Sequence, residues 1–406
     1  MNNMLKAERS NFKVTDKFIN RATYMSFPPV GNLSEKKRFL TSQNDRNKIS
    51  ERIFAYKLFN NRRASCLLLL SICCMLLTVA CACVPQKERV FRKSKVLMDT
   101  LVTITVVSGT EDEAEKATDK AFAEIERIEK LSSFYSPESE ISLINKNAGI
   151  NGVKVSSDIL NLLSKALYVS EKTGGAFDVT IGPLSVLYDF HKKIRPDDRV
   201  VKKRLSLVNY RNMIINTEES TVFLRNKGML IDPGGIAKGY AADRAEEVLK
   251  KSGILSGIVS VAGDIKTFGV RPDGKPWKIG IRNPDAGDMD DDVMATVELS
   301  NMAISTSGDY ERYFMLDGVR YHHLLSPKTG LPSRECRSVT IITREVALTD
   351  AFSTAVFILG HEKGMKVLEE RGFEGLIVDG QNNIHTTKGI RGKIEFKSRV
   401  SQNYHS

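Results

Sequence analysis

Two hydrophobic periods divide the chain. LVTITVV, Leu101 to Val107, alternates and is rich in β-branched residues, so it predicts a strand. From Glu111 to Leu131 the apolar positions Ala114, Ala117, Ala121, Ile125 and Ile128 step by three and four, which predicts an amphipathic helix. A second such helix spans Ser156 to Thr173, behind a Ser-Ser-Asp start suited to capping and before the breaking pair Gly174-Gly175. Helices are also predicted over Lys238 to Lys251, Thr349 to Leu359 and His361 to Arg371. Strands are predicted at Gly257 to Ala262, Trp277 to Arg282, Ala295 to Leu299, Ala303 to Ser305, Ser338 to Thr343 and Gly375 to Val378. Thr221 to Leu224 and Met229 to Ile231 predict a hairpin around Asn226-Lys227-Gly228. Helices and strands mix without regular alternation, so the expected class is α+β, mixed sheets with packed helices, rather than doubly wound. The core from about 90 to 396 is expected to be one large domain or two interleaved lobes.

The pattern before residue 90 is different. Arg62 and Arg63 precede an apolar run, Leu67 to Ala80, and then small residues, the grammar of a secretory signal. The run is shorter than the roughly 20 residues a spanning helix needs. LTVAC, Leu77 to Cys81, resembles the lipobox of bacterial lipoproteins, with Thr78 where Leu is usual; Cys83 is a second candidate and an uncleaved signal anchor the alternative. Residues 1–61 form a polar extension without strong periodicity, expected to be disordered or not translated. The rest divides into a signal segment at 62–83, a tether at 84–95, the folded domain at 96–396 and a tail at 397–406.

Charge and cysteine content narrow the function. The net charge is +11, but residues 1–83 hold 14 Lys/Arg against 5 Asp/Glu, so the folded part is nearly neutral. No basic stripe interleaved with aromatics follows, which argues against nucleic acid. Five of the six cysteines lie between Cys66 and Cys83, leaving only Cys336 downstream. A disulfide in the folded part and a paired-cysteine zinc site are therefore not expected.

Four segments could carry chemistry. IDPGGIAKGYAAD, Ile231 to Asp243, places glycines ahead of a helix, as an anion-binding turn would. Its spacing fits neither a Walker loop nor a dinucleotide fingerprint, and a packing turn is the equal alternative. In TDAFSTA, Thr349 to Ala355, Asp350 and Thr354 share a helix face and could hold a hard cation such as Mg2+; simple helix capping by Thr349 or Asp350 is the alternative. YHHLLSPKTGLPS, Tyr321 to Ser333, offers adjacent histidines, of which at most one faces a site. GGAFDVTIGPL, Gly174 to Leu184, brackets an exposed Phe-Asp that suits an aromatic ligand or an ordinary connection.

The order of these segments is more specific than any of them. Met98-Asp99-Thr100, Phe134-Tyr135-Ser136 and Ala176-Phe177-Asp178 come first. DPGGIAKGYAAD, AGDI (Ala262 to Ile265), STSGDYERYF (Ser305 to Phe314), HLLSPKTG and TDAFSTA follow. Over about residues 95 to 380 this resembles the ApbE family of FAD:protein FMN transferases. The resemblance implies a fold related to the T-fold, with FAD as substrate and Mg2+ as cofactor. It also implies transfer of FMN to a threonine hydroxyl of an acceptor protein, releasing AMP. By position it implies that Met98, Tyr135, Ala176, Phe177, Asp178, Asp232, Lys238 and Leu324 meet the cofactor. Asp350, Thr354 and the Gly235 carbonyl would hold the metal. His323 would take the acceptor's proton or orient the diphosphate, with Asp350 the other catalytic residue. Two departures stand out: Ser326 where most members have Asp, and Ala262 where many have Gly. The first bears on metal number or affinity, not on the fold.

The implied chemistry is phosphoryl transfer, in which positioning and charge neutralisation dominate. The chain contains no acceptor-like threonine motif, so the acceptor is expected to be another protein, a membrane redox-complex subunit. Lipidation at Cys81 would tether the enzyme at the extracytoplasmic face of the inner membrane. The alternatives are a metal-dependent FAD pyrophosphatase and a non-catalytic FAD-binding lipoprotein.

Overall fold

The computed structural model describes residues 47–59, 88–286 and 292–397. The apolar run, the lipidation candidate Cys81 and residues 398–406 lie outside the described residues. The chain divides into a unit ending at Pro85 and a unit from Gln86 onward. In the first, residues 47–59 form helix α1, so part of the extension expected to be disordered is helical. Among the described residues no helix is long and apolar enough to cross a membrane.

The second unit begins with a correction. Arg89–Leu97, most of the segment expected to be a tether, is strand β1. It pairs along its whole length with β2, Thr100–Ser108. Alternating side chains on β1 escape a periodicity reading because most stay exposed on this sheet edge. Next come α2 (Glu111–Ser132), α3 (Glu140–Lys146), β3 (Val153–Lys154), α4 (Ser157–Lys172), α5 (Gly182–Ser185) and α6 (Asp198–Leu205). They are followed by β4 (Met213–Asn216), β5 (Thr221–Leu224), α7 (Ala237–Lys251), β6 (Gly257–Val261), β7 (Asp264–Phe268) and β8 (Trp277–Arg282). Then come β9 (Val293–Leu299), β10 (Ala303–Gly308), β11 (Tyr313–Leu316), β12 (Val319–His322) and β13 (Cys336–Thr343). The unit closes with α8 (Val346–Leu359), α9 (His361–Arg371), β14 (Glu374–Asp379), β15 (Ile384–Thr386) and β16 (Ile394–Phe396).

One eight-stranded sheet, in the order β1-β2-β6-β7-β10-β13-β14-β15, organises the unit. Its central strands bury both faces. On β2, Val102, Ile104 and Val106 pack into the helical core with Ala117, Ala121, Ile125 and Phe352, while Val107 faces a second cluster. That second cluster joins the sheet to a three-stranded sheet, β16-β9-β8, through Trp277, Ile279, Val297, Ile342 and Val378. Helices lie on one side and a small sheet on the other, which is the α+β arrangement expected. The α2 and α4 caps follow the sequence: Thr110 accepts from the Glu113 N–H and Ser156 from the Ile159 N–H. The predicted hairpin after Thr221 does not form. β5 instead pairs with β4 and β3, and Leu230 makes a parallel bridge to Ile181. Asn216 makes the β4–β5 turn, its Oδ1 accepting from the Glu218 and Glu219 N–H groups at 3.0 and 3.1 Å.

Candidate active site

At one end of the large sheet, two tight turns lie side by side. Met98-Asp99 joins β1 to β2, and Ala262-Gly263 joins β6 to β7; the Ala262 N–H reaches the Leu101 carbonyl at 3.4 Å. Both turns need left-handed backbone, with φ of 53° and 55° in the first and 52° and 92° in the second. Ala262 adopts this conformation with a Cβ, where glycine would be unstrained.

Beside these turns, α7 and α8 cap each other. Neither helix has a capping side chain of its own at its first residue. Asp350 of α8 accepts from the Gly239 N–H of α7 at 3.2 Å. Asp243 of α7 accepts from the Val346 and Ala347 N–H groups of α8 at 3.0 and 2.9 Å. Each carboxylate therefore meets the positive end of the partner helix. Such close crossing requires Gly239: a Cβ there would lie 2.5 Å from the Val346 carbonyl oxygen. The odd glycine spacing of IDPGGIAKGYAAD thus has two separate causes. Gly239 admits α8, whereas Gly235 sits against Phe177 and Thr354, 3.1 and 3.5 Å from where a Cβ would be. None of Gly234, Gly235 or Gly239 has positive φ, so close approach and not turn geometry demands them.

The loop before α7 is fixed from a distance. Asn145 on α3 accepts from the Ile231 N–H at 2.6 Å and donates to the Ile231 carbonyl at 2.9 Å, as a paired strand would. Asp232 accepts from the Gly234 N–H at 3.0 Å. A row of hydroxyls seats α8 on β10: Ser305 meets Thr349 at 2.8 Å, and Ser307 meets Ser353 at 2.8 Å and Thr354 at 3.4 Å. Residues two apart on the strand match residues four apart on the helix. Neither Thr349 nor Asp350 caps α8, which begins at Val346 and contains both.

The electrostatic centre is a triad. Lys238 Nζ lies 2.8 Å from Asp264 Oδ2 and 3.4 Å from Asp350 Oδ2. Both carboxylates are buried, at 4 % exposure each. Burial alone would discharge Lys238; Asp264 and Asp350 outweigh it and raise its pKa. Burial, and then the negative charge of Asp264, push the Asp350 carboxyl up. Two buried carboxylates thus share one ammonium.

The donor set fits a hard divalent cation. Asp350, the Thr354 hydroxyl and the adjacent Gly235 backbone offer only oxygen, as Mg2+ prefers, and the excess negative charge is of the right sign. Asp264, Asn145, Asp243 and Ser307 were not singled out by sequence. Asp264 lies within AGDI, but one carboxylate in a tight turn carries no spacing that announces a partner 26 residues earlier.

Around this floor the remaining predicted residues differ. Ala176 and Phe177 are buried, at 2 % and 5 % exposure, so the expected exposed Phe-Asp is not seen. Asp178 spends both carboxylate oxygens locally, on Thr180 N and Oγ1 at 2.9 and 2.6 Å and on Tyr210 N at 2.8 Å; burial raises its pKa. It holds the turn that carries Phe177. Tyr135 is 80 % exposed, stacks edge-on against Phe134 at 5.2 Å, and lies in the fields of Asp232, Arg312 and Asp99. Met98 packs on the helical core, and Leu324 is buried.

The histidine pair divides as expected. His322 is buried; its Nδ1 accepts from the Leu324 N–H and its Nε2 donates to the Ser333 carbonyl at 2.6 Å. His323 is half-buried, and its Nδ1 lies 3.3 Å from the Arg312 carbonyl. A carbonyl only accepts, so Nδ1 carries the proton and Nε2 keeps its lone pair. Burial, and then the Arg312 cation, hold the His323 pKa far below the usual imidazole range. Ser326 accepts from the Lys328 N–H at 3.3 Å, so its hydroxyl serves its own turn.

The ApbE family model matches residues 98–377. The chain is 34 % identical over 287 residues to an FAD:protein FMN transferase of Klebsiella pneumoniae, covering 70 % of this chain and 87 % of that protein. It is 29 % identical to one of Treponema pallidum, covering 76 % and 90 %. Among solved structures it resembles the ApbE protein of Thermotoga maritima, with a TM-score of 0.70 and 32 % identity over 75 % of this chain and 99 % of that one. The flavin transferase ApbE of Vibrio cholerae gives a TM-score of 0.66 at 27 % identity, with the same shares covered.

Proposed function

This chain belongs to the ApbE family and is a flavin transferase; from that premise we propose that it moves FMN from FAD to a threonine hydroxyl of an acceptor protein and releases AMP. The observation that carries the reading is the Asp264–Lys238–Asp350 triad beside Thr354 and Gly235, an oxygen-lined, charged floor under an open rim. Mg2+, held by Asp350, Thr354 and the Gly235 carbonyl, would supply charge neutralisation for the diphosphate.

The chain's own groups do the rest. Lys238 is held charged next to the metal ligands, where an anionic diphosphate needs a cation. Gly235 keeps the backbone close enough for a ligand to approach. Phe177 and Leu324 would supply apolar walls, and Tyr135 a ring at the rim suited to stacking on a flavin. The acceptor oxygen would form a bond to the FMN phosphorus as the bridging P–O bond breaks, and AMP would leave with the bridging oxygen. The acceptor proton would pass to His323 Nε2, whose lone pair is left free by the Nδ1 bond to Arg312, the bound anionic diphosphate offsetting the burial and the Arg312 cation that otherwise keep this imidazole neutral.

The acceptor is proposed to be a subunit of a membrane redox complex, reached from a lipid anchor at Cys81 outside the cytoplasmic membrane. Co-expression with an acceptor domain carrying a flavinylation threonine tests the transfer: in-gel flavin fluorescence on the acceptor is expected, lost when that threonine becomes alanine. Fluorescence that persists without the threonine would refute the hydroxyl target. Metabolic labelling with a palmitate analogue, lost in Cys81→Ser, tests the anchor.

A further inference from the structure

At the far edge of the large sheet, a second group of ligating side chains takes no part in the flavin site. Asp379 ends β14, His385 lies on β15, and His361 begins α9 directly after Gly360, which turns the chain with φ of 81°. Asp379 is 2 % exposed. Its Oδ1 accepts from the Gln381 and Asn383 N–H groups, both at 2.9 Å, and its Oδ2 from Asn383 Nδ2 at 3.1 Å. That pinned Oδ2 faces His385 Nε2 at 2.9 Å. The His361 ring stacks on His385 with centroids 4.2 Å apart and planes 14° apart.

A turn-stabilising Asp–His pair would explain His385. It gives no reason for a second imidazole on the same spot. One ligating atom from each of the three side chains lies within 4.8 Å of the others. Tetrahedral bonds of about 2.0–2.2 Å to a shared ion place ligand atoms roughly 3.3–3.6 Å apart, so binding requires the His361 ring to turn out of its stack on His385 until both in-plane lone pairs meet at the ion. We propose that His361, Asp379 and His385 form a binding site for a borderline divalent cation of the zinc class, clamping the start of α9 to the β14–β15 turn. Two imidazole nitrogens and one carboxylate select Zn2+, Ni2+ or Cu2+ over Mg2+. The ion displaces the proton on the His385 nitrogen that faces Asp379. Asn383 and Gln381 aim the carboxylate from behind, as outer partners do in metal sites. The site is separate from the Asp350 floor: Asp350 lies nine residues before the end of α8 at Leu359, about 13.5 Å of helical rise, and His361 follows beyond the Gly360 turn.

Titration of the full chain with Zn2+ or Mg2+, read by calorimetry and thermal melting, tests this. One equivalent of Zn2+ should bind and raise the melting temperature, and Mg2+ at the same concentration should not reproduce that shift. Co2+ should give visible d–d absorption. His385→Ala and, should that variant fold poorly, the half-buried His361→Gln should each weaken Zn2+ binding by at least ~10-fold and abolish the Co2+ band. Zn2+ binding unchanged in both variants would place the ion elsewhere and overturn the proposal, as would no binding by the parent. Flavin transfer is not part of this readout, so the result is independent of the proposed activity.

Discussion

The floor of the flavin site and its rim are built differently. The floor is buried and self-consistent: Asp264, Lys238 and Asp350 satisfy one another, α7 and α8 cap each other, and Ser305 and Ser307 lock α8 to β10. The rim is open. Tyr135 is mostly exposed, and His323, half-buried, is held through the Arg312 carbonyl, by its backbone N–H at 3.1 Å and its Nδ1 at 3.3 Å. The floor is therefore organised for charge before any substrate arrives, while the rim has room to adapt to an acceptor. Removing the shared cation of the floor should disturb fold and chemistry together, removing one of its carboxylates chemistry alone, and rim substitutions chemistry or binding alone.

The largest expected effect breaks the floor. Lys238→Met leaves two buried carboxylates without their cation, which should destabilise the protein by about 3–5 kcal/mol. Denaturant unfolding at pH 7 without metal reads this directly; a loss below ~1 kcal/mol would mean that the triad is not the core of the floor.

Asp350→Asn separates charge from chemistry. Transfer should fall by at least roughly 10²-fold through loss of a metal ligand. Stability should not fall in parallel. The Asp350 carboxyl titrates above its unfolded value, so its favourable contribution is present at low pH and lost as pH rises through the folded value. At neutral pH without metal, Asn should match or exceed the parent's melting temperature. A large loss of stability would show that the carboxylate's cap on Gly239 outweighs its burial.

At the rim, Tyr135→Ala should remove about 0.5–1.5 kcal/mol of ring contact. That corresponds to a rise of roughly two- to tenfold in KM for FAD, with kcat and melting temperature unchanged. A fall in kcat alone would move Tyr135 from binding to chemistry. The smallest effect concerns the strained turn beside the floor. Ala262→Gly relieves left-handed strain of about 1–2 kcal/mol and adds unfolded-state entropy, leaving a gain below about 1 kcal/mol in chemical denaturation.

Part of the floor was legible in the sequence at helical spacing, whereas Lys238 and the Gly235 carbonyl were implied only by the family resemblance. Asp350 and Thr354 share a face four residues apart. What the sequence withheld was reciprocity. Nothing in α7 announces that Asp243 caps α8, or that Gly239 is small because Val346 lies against it. Strand pairing was equally hidden: β5 looked like the first half of a hairpin and is the second half of one with β4, and β1 looked like a tether because an edge strand keeps its polar side chains in water. Asp178 carries a structural duty that the motif did not announce: its oxygens hold Thr180 and Tyr210.

The floor is proposed to serve transfer to a hydroxyl of another protein. Incubating the full chain with FAD and Mg2+, with and without an acceptor domain, while quantifying AMP and protein-bound flavin, tests it most directly. The expected result is AMP and bound FMN appearing in equal amounts with acceptor, little AMP without it, and neither after chelation of the metal. AMP and free FMN released equally fast without acceptor would contradict the claim and identify water as the nucleophile.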